Sequence, residues 1–357
     1  MKLKKVELTN FRNYINQEIE FIDGINLFVG NNAQGKTNII ESIYIASFGK
    51  SYRTIKDEEI VNFNSNYSKI KLEYEKNGLE SIVEYNINEL NRKSIIKDGV
   101  KIKKISDHVG EIPIVIFSPD SLDIVKGAPS KRREFINLIC SQLSKSYLLA
   151  YTEYIKCLKL KNNSLKKDIV DKEYIKILNE KMSVYIEKIV NFRKIVIDKV
   201  LEKAKNIQKE LTDNKEEINL KYETDFLEMN SHQIKDLLDK YLDIEIMKKS
   251  SLKGIQRDDL IIYINDLEVS KFGSQGQNRT SMLTLMLSDF EVLKEIKKEN
   301  PILLLDDIMS ELDKTRISYM LKYIENYQSI ITSTDSSFVK DVSNIKICKV
   351  SGGTLEI

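Results

Sequence analysis

Hydrophobic and polar positions alternate with a period of two along the first third of the chain. The segments 70–74 and 81–85 place an apolar side chain at every second position, which is the pattern of half-buried antiparallel strands. Asp98-Gly99 lies between two further strand-like runs and is typical of a two-residue hairpin turn of type I′. We therefore predict an antiparallel β subdomain within residues 1–128.

The period changes at Pro129 to the three- and four-residue spacing of helices. No proline or glycine follows before Gly254, so long helices can form in this segment. One apolar stripe has the spacing of a coiled-coil seam of about three heptads, which is too short for a long rod. An antiparallel helical arm fits this pattern, but we favour a compact helical lobe at residues 129–253. The stripe comprises Ile175, Leu178, Met182, Tyr185, Ile189, Phe192 and Val196.

Strand patterns return in the last third of the chain, from residue 254 to residue 357. Alternating residues 259–264 predict a strand, and a helix is expected from about 275 to 297. The aliphatic runs 301–305 and 329–332 are typical of parallel strands that are covered on both faces. Residues 345–357 predict a closing hairpin. We therefore expect an α/β lobe made of residues 1–128 and 254–357, with the helical lobe inserted between them.

Composition and charge narrow the class of protein. A chain of 357 residues is long for one core and indicates two lobes. The 56 basic and 54 acidic residues give a net charge of +2, so binding to nucleic acid would need a local basic patch. Three scattered cysteines fit a reducing compartment. No apolar run approaches the ~20 residues that cross a membrane, so we expect a cytoplasmic protein without a membrane partner.

Residues 30–37 read Gly-Asn-Asn-Ala-Gln-Gly-Lys-Thr, a complete phosphate-binding loop between a predicted strand and a predicted helix. The backbone N–H groups of such a loop, and the helix N-terminus behind it, bind phosphates. Lys36 would reach the β- and γ-phosphates of ATP, and the Thr37 hydroxyl would hold Mg²⁺. A glycine-rich surface turn is the alternative, but it does not account for the strand and helix on either side. The predicted nucleotide-binding residues are Gly30, Asn31, Asn32, Ala33, Gln34, Gly35, Lys36, Thr37 and Asn38.

A second group of polar residues follows the aliphatic strand. Asp306 and Asp307 end that strand, and ligands bind beyond the carboxyl ends of parallel strands. Asp306 would bind Mg²⁺ directly or through water, and Asp307 would orient or deprotonate the attacking water. Earlier in the chain, Ser274-Gln-Gly-Gln277 opens the predicted helix as either an anion-binding terminus or a helix cap. The wide separation of Lys36 from Asp306 does not fit a small GTPase or a nucleotide kinase.

These motifs, with Ser310-Glu-Leu-Asp313, resemble the ABC-type ATPase head of the SMC class of DNA-maintenance proteins. Within that class the chain resembles the RecF family of bacterial recombination mediators, and the resemblance extends from end to end. It implies an α/β P-loop head of ABC/SMC type with an antiparallel β subdomain and an inserted helical lobe. The segments that carry it are Asn10–Tyr14, Gly49–Thr54, Phe117–Asp120, Lys126–Arg133, Arg257–Asp259 and Gly273–Gln277.

The resemblance also implies a function. Such proteins bind ATP and Mg²⁺, form a head-to-tail homodimer, hold duplex, gapped or single-stranded DNA, and act with RecO and RecR to load RecA. Ser274, Gly276 and Gln277 of one subunit would then meet the γ-phosphate bound by the other subunit. Asp307 stands where many such ATPases have glutamate, and Thr332-Ser-Thr334 stands where a histidine is usual. Both differences indicate a weak ATPase that acts as a switch.

Several further positions follow from the resemblance. Arg12 is expected near the nucleotide. The candidates for contacts to DNA phosphates are Lys131, Arg132, Arg133, Lys50 and Arg53, and the alternative for each cluster is a solvated surface or intramolecular ion pairs. Family members often have histidine where this chain has Tyr52 and Gln256, so we expect no essential acid–base role at those two positions.

Two other functions remain open at this level. The ATP-hydrolysing subunit of an ABC transporter would carry a switch histidine, lack a long helical insertion and need a membrane partner. A short SMC-like head that tethers DNA mechanically would need much longer coiled-coil arms than residues 129–215 can form. Neither alternative fits the sequence well.

Overall fold

The computed structural model describes residues 1–88, 90, 92–340 and 342–356. The chain divides into two compact units, of which unit 1 comprises Met1–Ser121 with Asp289–Ile357 and unit 2 comprises Leu122–Ser288. Unit 2 contains the whole segment 129–253 and continues to residue 288. The three-part division at residues 128 and 253 remains a prediction.

Unit 1 contains a six-stranded antiparallel sheet with the order β2-β1-β4-β5-β6-β7. The predicted strands 70–74 and 81–85 are confirmed as neighbours, with Leu72 opposite Val83. Asp98-Gly99 joins the last two strands, and both residues have positive φ as a type I′ turn requires. The strands are β1 (Lys2–Phe11), β2 (Tyr14–Glu20), β4 (Ser68–Lys76), β5 (Leu79–Ile87), β6 (Lys93–Lys97) and β7 (Val100–Lys101).

The second sheet of unit 1 has the order β15-β14-β3-β13-β12-β8 and is parallel except for the β14–β15 pair. All side chains of β12 and β13 are buried, as their aliphatic sequences predict. The closing hairpin is confirmed, although Ile357 lies outside the described residues. The strands are β3 (Ile25–Val29), β8 (Ile114–Phe117), β12 (Ile302–Asp306), β13 (Ser329–Ser333), β14 (Ile345–Ser351) and β15 (Thr354–Glu356).

Unit 2 is mainly helical and holds a small antiparallel sheet with the order β11-β10-β9. Its strands are β9 (Ile218–Glu223), β10 (Asp259–Ile264) and β11 (Leu267–Glu268). The helices of unit 1 are α1 (Lys36–Phe48) and α10 (Lys314–Ile324), and α9 (Gln275–Lys297) passes from unit 2 into unit 1. The helices of unit 2 are α2 (Asp123–Lys126), α3 (Pro129–Leu143), α4 (Lys145–Leu165), α5 (Lys172–Leu211), α6 (Ser231–Lys240), α7 (Leu242–Lys248) and α8 (Val269–Phe272).

The predicted apolar stripe lies on α5, a helix of 40 residues that is about 60 Å long. Five of its seven residues are buried, whereas Tyr185 and Phe192 are half-buried. The helix packs along α4 and α6, so the stripe forms the core of a helical bundle within unit 2. Among the described residues, no helix is both long enough and apolar enough to span a bilayer.

Candidate nucleotide-binding site

The phosphate-binding loop connects β3 to α1 in unit 1, as the sequence predicts. Only a glycine can follow β3, because a Cβ on Gly30 would lie 2.3 Å from the Val350 carbonyl oxygen. Gly35 precedes the first residue of α1 with a φ of 113°. The backbone therefore turns sharply into a helix N-terminus, which is the arrangement that binds phosphate.

Lys36 is the first residue of α1 and is almost fully buried. Its Nζ donates hydrogen bonds to the carbonyl oxygens of Gly30 and Asn31, the latter over 2.9 Å. Burial lowers the pKa of Lys36, and the charges of Asp307 and Asp306 act in the opposite direction. The ammonium group thus lies inside the loop, where it can exchange carbonyl partners for phosphate oxygens.

Three hydroxyl groups converge on the carboxylate of Asp306, which is 5% exposed at the end of β12. Thr37 Oγ1 and Thr332 Oγ1 donate to Asp306 Oδ1 over 2.8 and 2.9 Å. Tyr52 Oη donates to Asp306 Oδ2 over 2.9 Å. The two predicted magnesium ligands, Thr37 and Asp306, are therefore in direct contact although they are far apart in the sequence.

Asp307 follows Asp306 in a left-handed backbone conformation, with a φ of 52°. Its N–H donates to Thr332, both to the carbonyl oxygen over 3.1 Å and to Oγ1 over 3.0 Å. Its Oδ1 is buried and has no hydrogen-bond partner among the described residues. Burial raises the pKa of Asp307, and the Lys36 charge opposes that effect. An unsatisfied carboxylate oxygen held by an unusual backbone is suited to accept a hydrogen bond from a ligand or a water molecule.

The carboxylate of Glu41, on the buried side of α1, organises the residues next to the loop. Arg12 donates to both carboxylate oxygens of Glu41, over 3.0 and 2.6 Å. Arg53 Nη1 donates to Glu41 Oε2 over 3.0 Å and to Asn38 Oδ1 over 2.8 Å. Ser51 Oγ donates to Glu41 Oε1. Arg12 thus lies next to α1, where it anchors the turn after β1.

Two turns support the loop from outside. Asn13 Nδ2 donates to the Gln34 carbonyl oxygen over 2.9 Å, and Asn13 Oδ1 accepts from Asn38 over 2.8 Å. From the β14–β15 turn, the Gly352 N–H donates to Gln34 Oε1 over 2.7 Å, and the Gly353 N–H donates to the Gln34 carbonyl over 3.1 Å. Gln34 is therefore held by the backbone of a hairpin that lies more than 300 residues later in the chain.

An open cleft in unit 1 lies directly over the loop. It includes seven of the nine predicted loop residues and also Asp307, whereas Arg12 is not among its lining residues. Arg53, which the sequence suggested as a DNA contact, lines this cleft instead, because its hydrogen bonds to Glu41 and Asn38 direct it toward the loop. The lining residues are Asn32, Ala33, Gln34, Gly35, Lys36, Thr37, Asn38, Arg53 and Asp307.

Comparisons with known proteins identify the family of this chain. The AAA domain family matches residues 5–226. A Clostridium perfringens protein named DNA replication and repair protein RecF is 38% identical over 364 residues, covering 100% of both chains. The chain belongs to the RecF family. A solved structure of the recombination mediator protein RecF with ATP, in the RecFOR pathway, has a TM-score of 0.91 at 33% identity, covering 99% of this chain and 97% of that one.

The fold extends beyond the RecF family. The SMC head domain of Pyrococcus furiosus is 17% identical and has a TM-score of 0.58, covering 99% of this chain and 95% of that one. The expected α/β fold of ABC/SMC type, with an antiparallel sheet and an inserted helical part, is therefore confirmed. Membership of the RecF family also favours the repair-protein hypothesis over the transporter and the mechanical tether.

The predicted signature motif lies in unit 2, at the start of α9. Ser274 Oγ accepts a hydrogen bond from the Gln277 N–H over 3.2 Å, and Gln277 Oε1 accepts one from the Ser274 N–H over 3.0 Å. These reciprocal bonds form a capping box. Within a single chain, the motif therefore acts as a helix cap. Ser274 is exposed and Gly276 is half-exposed. A contact from this motif to the nucleotide of a second subunit stays a prediction.

The basic residues at the start of α3 have different environments. Arg132 is buried and forms a bidentate ion pair with Asp259, so it is not available to DNA, and the ion-pair alternative is correct for this residue. Arg133 donates to the Asp258 carbonyl oxygen over 2.8 Å. Lys131 lies 3.8 Å from Glu134 with a partly exposed side chain. Lys131, and Lys50 on unit 1, therefore remain the more accessible candidates for contacts to DNA.

Sequence reasoning missed three residues of the site. The segment Asn10–Tyr14 carries the family resemblance but indicates no role for the Asn13 amide. At Tyr52 and Thr332 the sequence indicates only that a histidine is absent. Each acts through a hydrogen bond that depends on the tertiary fold, and no local pattern in a single sequence reports such a bond.

Proposed function

We propose that this chain is an ATP-dependent DNA-binding protein of recombinational repair and replication restart. The observation that carries the proposal is the direct hydrogen bond of Thr37 to Asp306 beneath a cleft lined by Lys36 and Asp307. This places a phosphate-binding loop and a pair of acids in one site, in a chain of the RecF family. The similar structures of RecF with ATP make ATP the expected nucleotide.

The residues of this site suit magnesium as well as ATP. The Thr37 hydroxyl and the Asp306 carboxylate are hard oxygen donors in contact with each other, and magnesium uses one or two such protein ligands together with substrate phosphates. When bound, the ion neutralises charge on the phosphates. Lys36 binds phosphate oxygens, and Asp307 orients or deprotonates the attacking water.

Hydrolysis in this proposal is slow and acts as a switch. ATP favours a homodimer in which Ser274, Gly276 and Gln277 of one subunit contact the γ-phosphate held by the other subunit. The exposure of Ser274 at the start of α9 supports such a contact. ATP then stabilises the dimer by its higher affinity for that state, and its hydrolysis releases the dimer.

The dimer holds duplex DNA next to single-stranded gaps in the cytoplasm and acts with RecO and RecR to load RecA. The similar structures are described as belonging to the RecFOR pathway, which supports this choice of partners. Lys131 and Lys50 are the proposed contacts to DNA phosphates. Each phosphate contact that is lost should reduce the slope of the salt dependence by about one unit.

A gel-shift series on gapped duplex DNA tests the proposal. ATP and a slowly hydrolysed analogue should both retain DNA, the analogue for longer, whereas ADP should not. Lys36→Ala should lose nucleotide-dependent retention while it keeps the nucleotide-independent background. Equal retention with ATP, with ADP and without nucleotide would contradict the proposal. So would full ATP-dependent retention by Lys36→Ala.

A further inference from the structure

Three side chains donate hydrogen bonds to the carboxylate of Asp306, and only Thr37 belongs to the phosphate loop. Asp306 Oδ1 accepts from Thr37 and Thr332, whereas Asp306 Oδ2 accepts from Tyr52. With only 5% of Asp306 exposed, little water can replace any of these donors. The orientation of the carboxylate therefore depends on Tyr52.

Tyr52 itself is fixed by its neighbours. Its ring contacts the Tyr44 ring edge-on, with centroids 5.2 Å apart and an angle of 67° between the planes. The residues on either side, Ser51 and Arg53, both donate hydrogen bonds to Glu41. The Tyr52 hydroxyl is thus held in position by the ring contact with Tyr44 and by the two hydrogen bonds of its neighbours to Glu41.

We propose that Tyr52 is a positioning residue for the metal-binding carboxylate of Asp306, and that it determines how strongly magnesium increases the affinity for ATP. This role rests on the proposed binding of ATP with magnesium at the Thr37 and Asp306 site. The phosphate loop provides the phosphate contacts without help from Tyr52. Tyr52 acts only on the carboxylate behind the metal position.

The consequence follows from the hydrogen-bond pattern. Without the Tyr52 hydroxyl, Asp306 Oδ2 would remain buried and unpaired, and the carboxylate could rotate about its two bonds on Oδ1. Partners that orient a metal ligand from behind contribute about 10- to 100-fold in metal affinity. The metal-free contacts of Lys36 and the loop N–H groups do not involve Tyr52.

The test measures the affinity for a fluorescent ATP analogue in excess magnesium and in EDTA. The readout is the magnesium ratio, which is the affinity in magnesium divided by the affinity in EDTA. Tyr52→Phe removes the hydroxyl and keeps the ring. Its affinity in EDTA should stay within about twofold of the parent chain, which also shows that it is folded, and its magnesium ratio should fall about 10-fold. Tyr85→Phe is the matched control, because the buried Tyr85 hydroxyl has no described hydrogen-bond partner.

An unchanged or larger ratio in Tyr52→Phe would overturn the proposal, as would an equal loss in Tyr85→Phe. If the parent chain binds no nucleotide, or binds it equally with and without magnesium, the proposed function fails instead.

Discussion

Arg132 and Asp259 form a bidentate ion pair in unit 2, with both N···O distances at 2.7 Å. Arg132 Nη1 also donates to the Gly127 carbonyl oxygen over 2.9 Å. The pair joins the first turn of α3 to the first residue of β10. A residue selected from the sequence as a DNA contact therefore stabilises the fold by connecting two segments more than 120 residues apart.

Replacement of Arg132 by alanine should destabilise the protein. The Asp259 carboxylate would lose its partner in a site where its side chain is only 15% exposed, and breaking such a pair costs about 3 kcal/mol. Urea denaturation measures this loss as a lower midpoint. Lys131→Ala, one residue earlier and partly exposed, should change stability by less than about 0.5 kcal/mol. Equal stability of the two variants would show that the ion pair contributes little.

The support of the phosphate loop by the β14–β15 turn gives a second prediction. A Cβ on Gly353 would lie 2.5 Å from the Asn13 carbonyl oxygen, whereas a Cβ on Gly352 meets no described atom within 4 Å. Gly353→Ala should therefore displace the turn from Gln34 and weaken ATP binding several-fold. Gly352→Ala is the matched control, because both glycines have positive φ and an alanine there carries a similar backbone cost. Fluorescent-nucleotide titration compares them, and similar affinities would exclude a role of the turn in positioning the loop.

Much of the fold could be predicted because its elements have strong local patterns. The aliphatic runs at β12 and β13, the alternation of β4 and β5 and the heptad-like spacing in α5 each report burial on a definite face. The phosphate loop was equally clear, because glycine and lysine are required there at fixed spacing.

The roles of individual polar side chains could not be predicted in this way. Arg132 and Lys131 are neighbours in one basic run, yet only the fold determines that Asp259 lies opposite the first and solvent next to the second. Tyr52 follows α1 with no local sign that its hydroxyl reaches Asp306, which is 254 residues away. Such contacts depend on which strand ends meet in the parallel sheet, and a single sequence contains no direct record of them.

His108 should make the stability of the protein depend on pH. It is buried, its Nε2 contacts the Ala46 carbonyl oxygen over 2.6 Å, and its Nδ1 has no described partner. Burial lowers the pKa of His108, the Ala46 hydrogen bond and Glu111 oppose this, and Lys97 adds to it. The unfolded chain takes up a proton below about pH 6.5, but the folded chain does so only at lower pH. Stability is therefore complete above pH 6.5 and decreases as the pH falls.

Urea denaturation at pH 7.5 and 5.5 measures this effect. The parent chain should lose about 1 kcal/mol more between the two pH values than His108→Gln, in which the titrating group is absent. His232→Gln is the control, because His232 is the only other histidine of the chain and its side chain is 84% exposed. If His108→Gln showed the same pH dependence as the parent chain, titration of His108 would not explain the loss.

Ser274→Arg should separate ATP binding from dimerisation. Ser274 is exposed and is not part of the phosphate loop, so we expect a bulky cation there to leave nucleotide binding intact but to block the proposed contact with the γ-phosphate of a second subunit. The variant also loses a helix cap, which costs about 1 kcal/mol.

Ser144→Arg is the matched control, since Ser144 caps α4 through the Tyr147 N–H over 3.1 Å. Both variants should bind a fluorescent ATP analogue normally, and only Ser274→Arg should remain monomeric with ATP in sedimentation velocity and lose turnover. Full ATP-dependent dimerisation of Ser274→Arg would place the dimer contact elsewhere.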